Sequence, residues 1–191
     1  MKINGRGESA LLLLQVIKVL DRCKIPYAIV GAFAASFYGV VRASLDADAV
    51  VSLEGGDGKR ERLLSLLKKR RLKVTLRHGD LSDPIRGIIR IEDSFQNRVD
   101  LLIGIRGMGE DIFERIVSAT FMNQKVKVIG IEDFVAMKIY AGSAKDIQDA
   151  IGVLRVCADR LSLSLLKQLT RRYGKKELDA LQRILSKRGG K

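Results

Sequence analysis

Cysteine, histidine and aromatic side chains are scarce in this chain, and each shortage closes off a class of function. Its 191 residues include two cysteines, Cys23 and Cys157, far apart and both set in apolar helical patterns. That is neither a disulfide framework nor a metal knuckle, and both read as small core residues. The single histidine, His78, stands beside the turn formers Gly79 and Asp80 and reads as an incidental polar residue. Aromatics are 5% of the chain, without the repeated stacking platforms of single-strand binders. Phe33, Phe37, Tyr38 and Tyr140 read as core or cleft wall. No apolar stretch approaches the roughly 18–20 residues of a membrane span. The short Leu11–Leu14 run belongs to an amphipathic pattern ending in Lys18 and Arg22 rather than to a secretory signal. The expected setting is the cytoplasm, with no membrane partner.

Acids are also outnumbered: 22 Asp and Glu against 35 Lys and Arg leave a net charge of +13. The excess is segregated. Residues 59–77 hold nine basic residues against one acidic, and residues 167–191 hold nine against two, so the rest is nearly neutral. Two such segments form an electrostatic footprint for a polyanion, with nucleic acid the first candidate. An anionic membrane surface is the weaker one, since neither segment carries a broad aromatic face. The bland alternative is a pair of solvated helix faces. With 47% apolar and 30% charged residues, the chain is an ordinary globular protein of one or two small domains.

Hydrophobic spacing predicts a helix over 8–23, capped by Ser9, with Leu12, Val16, Leu20 and Cys23 inside. A strand at Tyr27–Val30, a short helix from Ala32 to Tyr38 and a strand over about 45–52 follow. Glu54-Gly55-Gly56-Asp57-Gly58 is the clearest loop, and a basic helix spans 59–71. Strands are expected at 73–78, 87–92 and 97–103, then a helix near 109–117 and a hairpin of 119–122 and 125–129 turning at Asn123-Gln124. From Glu132 the chain is helical: 132–141, 143–159, 162–173 and 175–187. The expected fold class is α/β (α+β): residues 1–130 form a mixed α/β core, and residues 131–191 form a C-terminal helical region packed on it as one unit.

Three carboxylates stand out inside the apolar strands: Asp46 and Asp48 in Ser-Leu-Asp-Ala-Asp-Ala-Val-Val, and Asp100 in Arg-Val-Asp-Leu-Leu-Ile. Residues two apart in a strand share a face, so Asp46 and Asp48 project side by side. Such a pair resists burial unless a cation lies between its members, and Mg²⁺ with substrate phosphates is the natural one. Asp100 would add a third ligand or a base. The alternative is a pair of carboxylates solvated at a strand end. Gly31 ends one strand and opens a helix, leaving backbone N–H groups free for phosphate.

The stretch Tyr-Ala-Ile-Val-Gly-Ala-Phe-Ala-Ala-Ser-Phe-Tyr-Gly-Val-Val-Arg-Ala-Ser-Leu-Asp-Ala-Asp resembles the nucleotidyltransferase superfamily of the polymerase β fold. More narrowly, it resembles the group related to the AbiEii abortive-infection toxins. Arg42, Ser44, Asp46, Asp48 and Asp100 match that group's turn, Arg-x-Thr-x-Asp-x-Asp strand and later Asp in order. Ala32 stands where the group has Gly or Ser, and Ser44 replaces Thr but keeps the hydroxyl. Ile-Glu-Asp-Phe-Val-Ala-Met-Lys-Ile-Tyr-Ala-Gly-Ser-Ala-Lys-Asp-Ile-Gln-Asp resembles the second motif. The resemblance covers roughly residues 25–155.

It implies a mixed-sheet nucleotidyltransferase core and an NTP-dependent enzyme with two Mg²⁺ ions on Asp46, Asp48 and Asp100. It implies β- and γ-phosphates at Gly31 and the Ala32 amide, with Lys138 reaching the triphosphate. Lys145 would then meet phosphate, positioned by Asp149. The residues alone leave other readings open: Lys138 snorkelling to water, Lys145 and Asp149 as a surface ion pair, Arg42 bridging to an Asp. The leading expectation is transfer of NMP to RNA, such as a tRNA end, as a toxin with an antitoxin partner would do. A protein or small-molecule hydroxyl is a second acceptor class, and a catalytically silent nucleic-acid-binding domain is the third reading.

Overall fold

The computed structural model describes residues 2–53, 57–80 and 82–187, and its elements follow the sequence pattern closely. In chain order they are α1 (Ser9–Arg22), β1 (Tyr27–Val30), α2 (Gly31–Phe37), β2 (Asp46–Val51), α3 (Asp57–Lys69), β3 (Lys73–His78), β4 (Ile85–Glu92) and β5 (Arg98–Ile105). A 3₁₀ turn at Glu110–Glu114 leads to β6 (Val117–Phe121) and β7 (Gln124–Val128). Four helices complete the chain: α4 (Ile131–Ala141), α5 (Ala144–Val156), α6 (Leu163–Tyr173) and α7 (Lys175–Ser186).

All the strands join one seven-stranded sheet, in the order β3-β4-β5-β2-β1-β7-β6. The β2–β5 and β1–β7 pairs are parallel and the others antiparallel, so the sheet is mixed. One side of the central strands is wholly apolar: Ala47 and Ala49 of β2, Ile89 and Ile91 of β4, and Val99 and Leu101 of β5 are all 0% exposed. Helix α1 contacts β2 and β5 there and packs on α3, which contacts β3. Leucines at helical spacing seal this layer, with Leu12, Val16 and Leu20 from α1 and Leu63 and Leu67 from α3 buried. The other side of the sheet carries the polar members of the same strands.

The C-terminal helices share this apolar core, which runs on through Phe134, Leu154, Leu166 and Leu181. Tyr38 ties the two halves together: its hydroxyl donates to the Ile129 carbonyl and its ring tilts onto Phe134 at 6.0 Å. Arg115 adds a polar tie, binding Asp111 at 2.7 Å and Asp133 at 2.7 and 2.8 Å. α4 ends on Gly142, whose φ of +68° is a left-handed cap that a side chain would strain. Ser143 then caps α5 and Ser162 caps α6 through their hydroxyls.

Four local expectations are corrected. Ser9 is not the α1 cap: Glu8 holds that position, while the Ser9 hydroxyl donates to Leu45 O and accepts from Arg98 N. The helix expected near 109–117 is only the 3₁₀ turn, because Val117 is already drawn into pairing with Val128. The hairpin turns at Met122 and Asn123, both with positive φ, as a two-residue type I′ turn needs. Of the predicted Glu54–Gly58 loop, residues 54–56 lie outside the described residues, and α3 begins at Asp57. Among the described residues no helix is long and apolar enough to cross a membrane.

Candidate active site

Strand register decides which carboxylates meet. β2 and β5 run parallel with Asp48 opposite Asp100 and Asp46 opposite Arg98. Cross-strand partners share a face, so Asp46, Asp48 and Asp100 project together from the polar side of the sheet. β1 places Val30 beside Asp48 on the other flank, bringing Gly31 against the carboxylate. A Cβ at Gly31 would lie 2.3 Å from Asp48 Oδ2, and its φ is +65°, so only glycine fits this approach. Ala32 points into the core at 3% exposure; what it can offer a ligand is its backbone N–H. Ser44 donates its hydroxyl to Asp46 O at 2.9 Å, fixing the entry into β2.

The charges are unevenly balanced. Asp100 is buried and held by Arg90 of β4 through two hydrogen bonds, Nε to Oδ1 at 2.9 Å and Nη2 to Oδ2 at 3.0 Å. That contact raises the Arg90 pKa further. Asp46 takes a hydrogen bond from Arg98 Nη2, while the buried Arg98 Nε, without a hydrogen bond, lies 3.9 Å from Asp100 Oδ2. Asp48 enters no ion pair among the described residues. Burial first, and then Asp100 across the strand, push its carboxyl up to about 6, with Lys138 and Arg42 pulling the other way.

A second charged cluster faces these strands from α4 and α5. Lys138 is 5% exposed, 2.6 Å from Asp146 Oδ1 and 2.9 Å from Asp149 Oδ2. Burial works against the Asp146 charge, but hydrogen bonds from Lys138 and Ser143 outweigh it and hold the carboxyl below its usual range. Arg42 Nε reaches the buried Asp149 at 3.1 Å. Arg42 thus bridges to an Asp, and Lys138 is buried on carboxylates rather than snorkelling to water. The Lys145–Asp149 pairing is not made: Asp149 turns inward to Arg42 and Lys138, and Lys145 stays exposed. Between the clusters lies a cavity of about 310 Å³, lined by Gly31, Asp48, Leu102, Met137, Lys138, Tyr140 and Asp146 among others.

The arginines on the carboxylates, and Asp146, were missed as site residues from sequence. Arg98 was legible, since it stands two positions before Asp100 on the same strand face. Arg90 was not, because only the β4–β5 register brings it to Asp100.

Carboxylate oxygens are hard donors suited to Mg²⁺, and a cation beside Asp48 would offset the burial and the neighbouring carboxylates that raise its pKa; the donor set fits. Among the described residues no three His, Cys, Asp or Glu side chains form a ready-made metal cluster. Asp46 and Asp100 are engaged by arginines instead.

No protein-family model matches the chain, and no curated protein matches it in sequence. Solved structures do match in fold. The antibiotic-resistance factor ANT(2'')-Ia superposes with a TM-score of 0.59 at 14% identity, over 93% of this chain and 96% of that one. An antigenic nucleotidyltransferase-like protein from Paracoccidioides brasiliensis gives 0.57 at 19% identity, over 95% and 88%. A putative nucleotidyltransferase from Thermotoga maritima gives 0.55 at 16% identity, over 83% and 97%. The chain has the polymerase β-type nucleotidyltransferase fold.

Proposed function

We propose that this chain is a Mg²⁺-dependent nucleotidyltransferase that transfers NMP from an NTP to an acceptor hydroxyl, with RNA the favoured acceptor. One observation carries the reading: Asp48, half-buried opposite Asp100 and in no ion pair among the described residues, borders a cavity shared with Lys138 and the side-chain-free Gly31. In this fold that is a place for a metal–triphosphate group. Asp46, Asp48 and Asp100 would hold two Mg²⁺ ions, which supply charge neutralisation of the triphosphate and acidification of the attacking hydroxyl.

The chain's own residues do the rest. Gly31 lets a phosphate approach the backbone where any Cβ would collide with Asp48. Lys138, held by Asp146 and Asp149, presents a fixed positive charge at the cavity wall. Arg42 and Asp149 lock that wall to the loop before β2, and Ser44 fixes the start of the strand. The arginines on Asp46 and Asp100 hold both carboxylates aligned on the polar face and would give way to a bound cation. Lys145, exposed at the start of α5, would meet a phosphate at the cleft mouth.

The charge excess in 59–77 and 167–191 supports a polynucleotide acceptor; residues 188–191 of the second segment lie outside the described residues. A toxin of the AbiEii-related group, paired with an antitoxin, would fit this description. The test is incubation with each α-³²P NTP, Mg²⁺ and total RNA. Label should enter RNA with the native protein and not with Asp48→Asn. Label entering a protein or a small molecule instead would refute the RNA acceptor, and label entering none of these would refute the transferase.

A further inference from the structure

The two basic segments are not equally placed relative to the carboxylates, and strand register separates their residues. β4 sets Arg90 opposite Asp100; β3 in turn sets Thr75 opposite Arg90, Arg77 opposite Ile88, and Lys73 opposite Glu92. Opposed residues share a face and alternate residues along a strand do too. Lys73, Arg77, Arg86 and Arg90 therefore stand on the carboxylate side of the sheet. Exposure agrees: Arg77 and Arg86 are exposed, whereas Ile89 and Ile91 on the opposite side are fully buried. By contrast, α3 packs on α1 and buries Leu63 and Leu67 on the apolar side of the sheet, although its Arg60 shares a cavity of about 220 Å³ with Arg86. The sheet itself stands between that apolar layer and Asp48.

On this face most of the charge is matched within the chain. Lys73 pairs with Glu92, Arg90 with Asp100 and Arg98 with Asp46. Arg77 and Arg86 enter no ion pair among the described residues. Arg86 is also seated: its stem lies across Gly104, where a Cβ would come within 2.7 Å of Arg86 Cδ. Arg86 lines a cavity of about 800 Å³ that shares Ile105 with the 310 Å³ cavity at Asp48. Three carboxylates border the larger cavity, Asp80, Asp83 and Glu110; Asp80 is bonded to Ser82 and to the Asp83 amide, and Asp83 to the Asp80 amide.

We infer that the open β3–β4 face is the docking platform for the sugar–phosphate backbone of a single-stranded RNA acceptor, with Arg77 and Arg86 on its phosphates and Arg90 linking platform to Asp100. The inference rests on the nucleotidyl-transfer reading and deepens it. Arg86 and Arg90 are four residues apart on one strand, about 14 Å, so a strand of a few nucleotides spans from the platform to the carboxylates. Guanidinium groups suit this task, since they meet phosphate oxygens through paired donors. The second basic segment and α3 then contribute long-range attraction rather than contacts.

The test is fluorescence anisotropy with a labelled single-stranded RNA oligonucleotide, without Mg²⁺ or NTP, so that it reads docking alone. Three double variants remove two charges each: Arg77→Gln/Arg86→Gln, Lys68→Gln/Lys69→Gln on α3, and Lys175→Gln/Lys176→Gln on α7. The platform variant should bind about tenfold more weakly and lose about 1.4 from the log–log salt slope, at about 0.7 per phosphate contact. The other two should stay within about twofold of native. The inference is overturned if the native protein binds no RNA, if the platform variant binds like native, or if either control loses as much. Should the double variant melt early, Arg77→Gln alone carries the same test with about half the slope change. Mg²⁺-dependent NTP binding, measured separately, judges the transferase reading independently.

Discussion

The two faces of β2 and β5 share a backbone and a register, yet they do opposite work. Ala47, Ala49, Val99 and Leu101 are sealed at 0% exposure, one residue out of step with Asp46, Asp48, Arg98 and Asp100. The apolar face fixes the register, because a one-residue slip would turn every carboxylate into the core. The polar face accepts the consequence: Asp48 and Asp100 held at close quarters, with arginines of β4 and β5 on Asp100 and Asp46 and none paired with Asp48 among the described residues. Stability is concentrated on one side and stored electrostatic tension on the other. Substitutions on the two sides should therefore fail in different ways.

The sharpest break comes from Asp48→Asn. Nucleotidyl transfer should fall by about 10³-fold or more, in line with the loss of a group acting on charge developing in the transition state, while the metal-free protein melts higher than native at pH 7. Leu101→Ala, one residue past Asp100, should do the reverse. It should lower the unfolding free energy by about 2–5 kcal/mol as a buried cavity opens, with activity per folded molecule nearly unchanged; urea unfolding and active-site titration would show both. Lys138→Met strips the buried Asp149 of one of its two cationic partners. Breaking a buried pair costs about 3 kcal/mol, so both stability and NTP affinity should drop together.

A smaller effect sharpens the same contrast. Asp48 holds its proton more tightly folded, at about 6, than at the ordinary carboxyl value of 3.8. The stability it allows is therefore present below pH 4 and lost as pH rises to 6. Asp111 and Asp146 are shifted the opposite way, so the reading is the difference between native and Asp48→Asn melts. That difference should widen between pH 4 and 6 and then stay constant.

Much of this was legible in the sequence, because the period-two pattern around Asp46, Asp48 and Asp100 and the helical spacing of Leu12, Val16 and Leu20 are local signals. The helix starts after Ser143 and Ser162 were legible for the same reason. Arg90 on Asp100, and Asp149 turned to Arg42 rather than Lys145, were not. Both depend on which strand or helix lies next to which, and pairing across 10 or 107 residues leaves no local trace. Ser9 misled because its hydroxyl serves β5 and the loop before β2 instead of its own helix.

The central claim is that the polar face at Asp48 is a cation-dependent triphosphate site. It is tested most directly by calorimetric titration of a non-hydrolysable NTP into native protein and Asp48→Asn, with and without Mg²⁺. The account predicts binding that requires Mg²⁺ in the native protein and is lost in the variant. Binding indifferent to Mg²⁺, binding unchanged by Asp48→Asn, or no binding at all would contradict it.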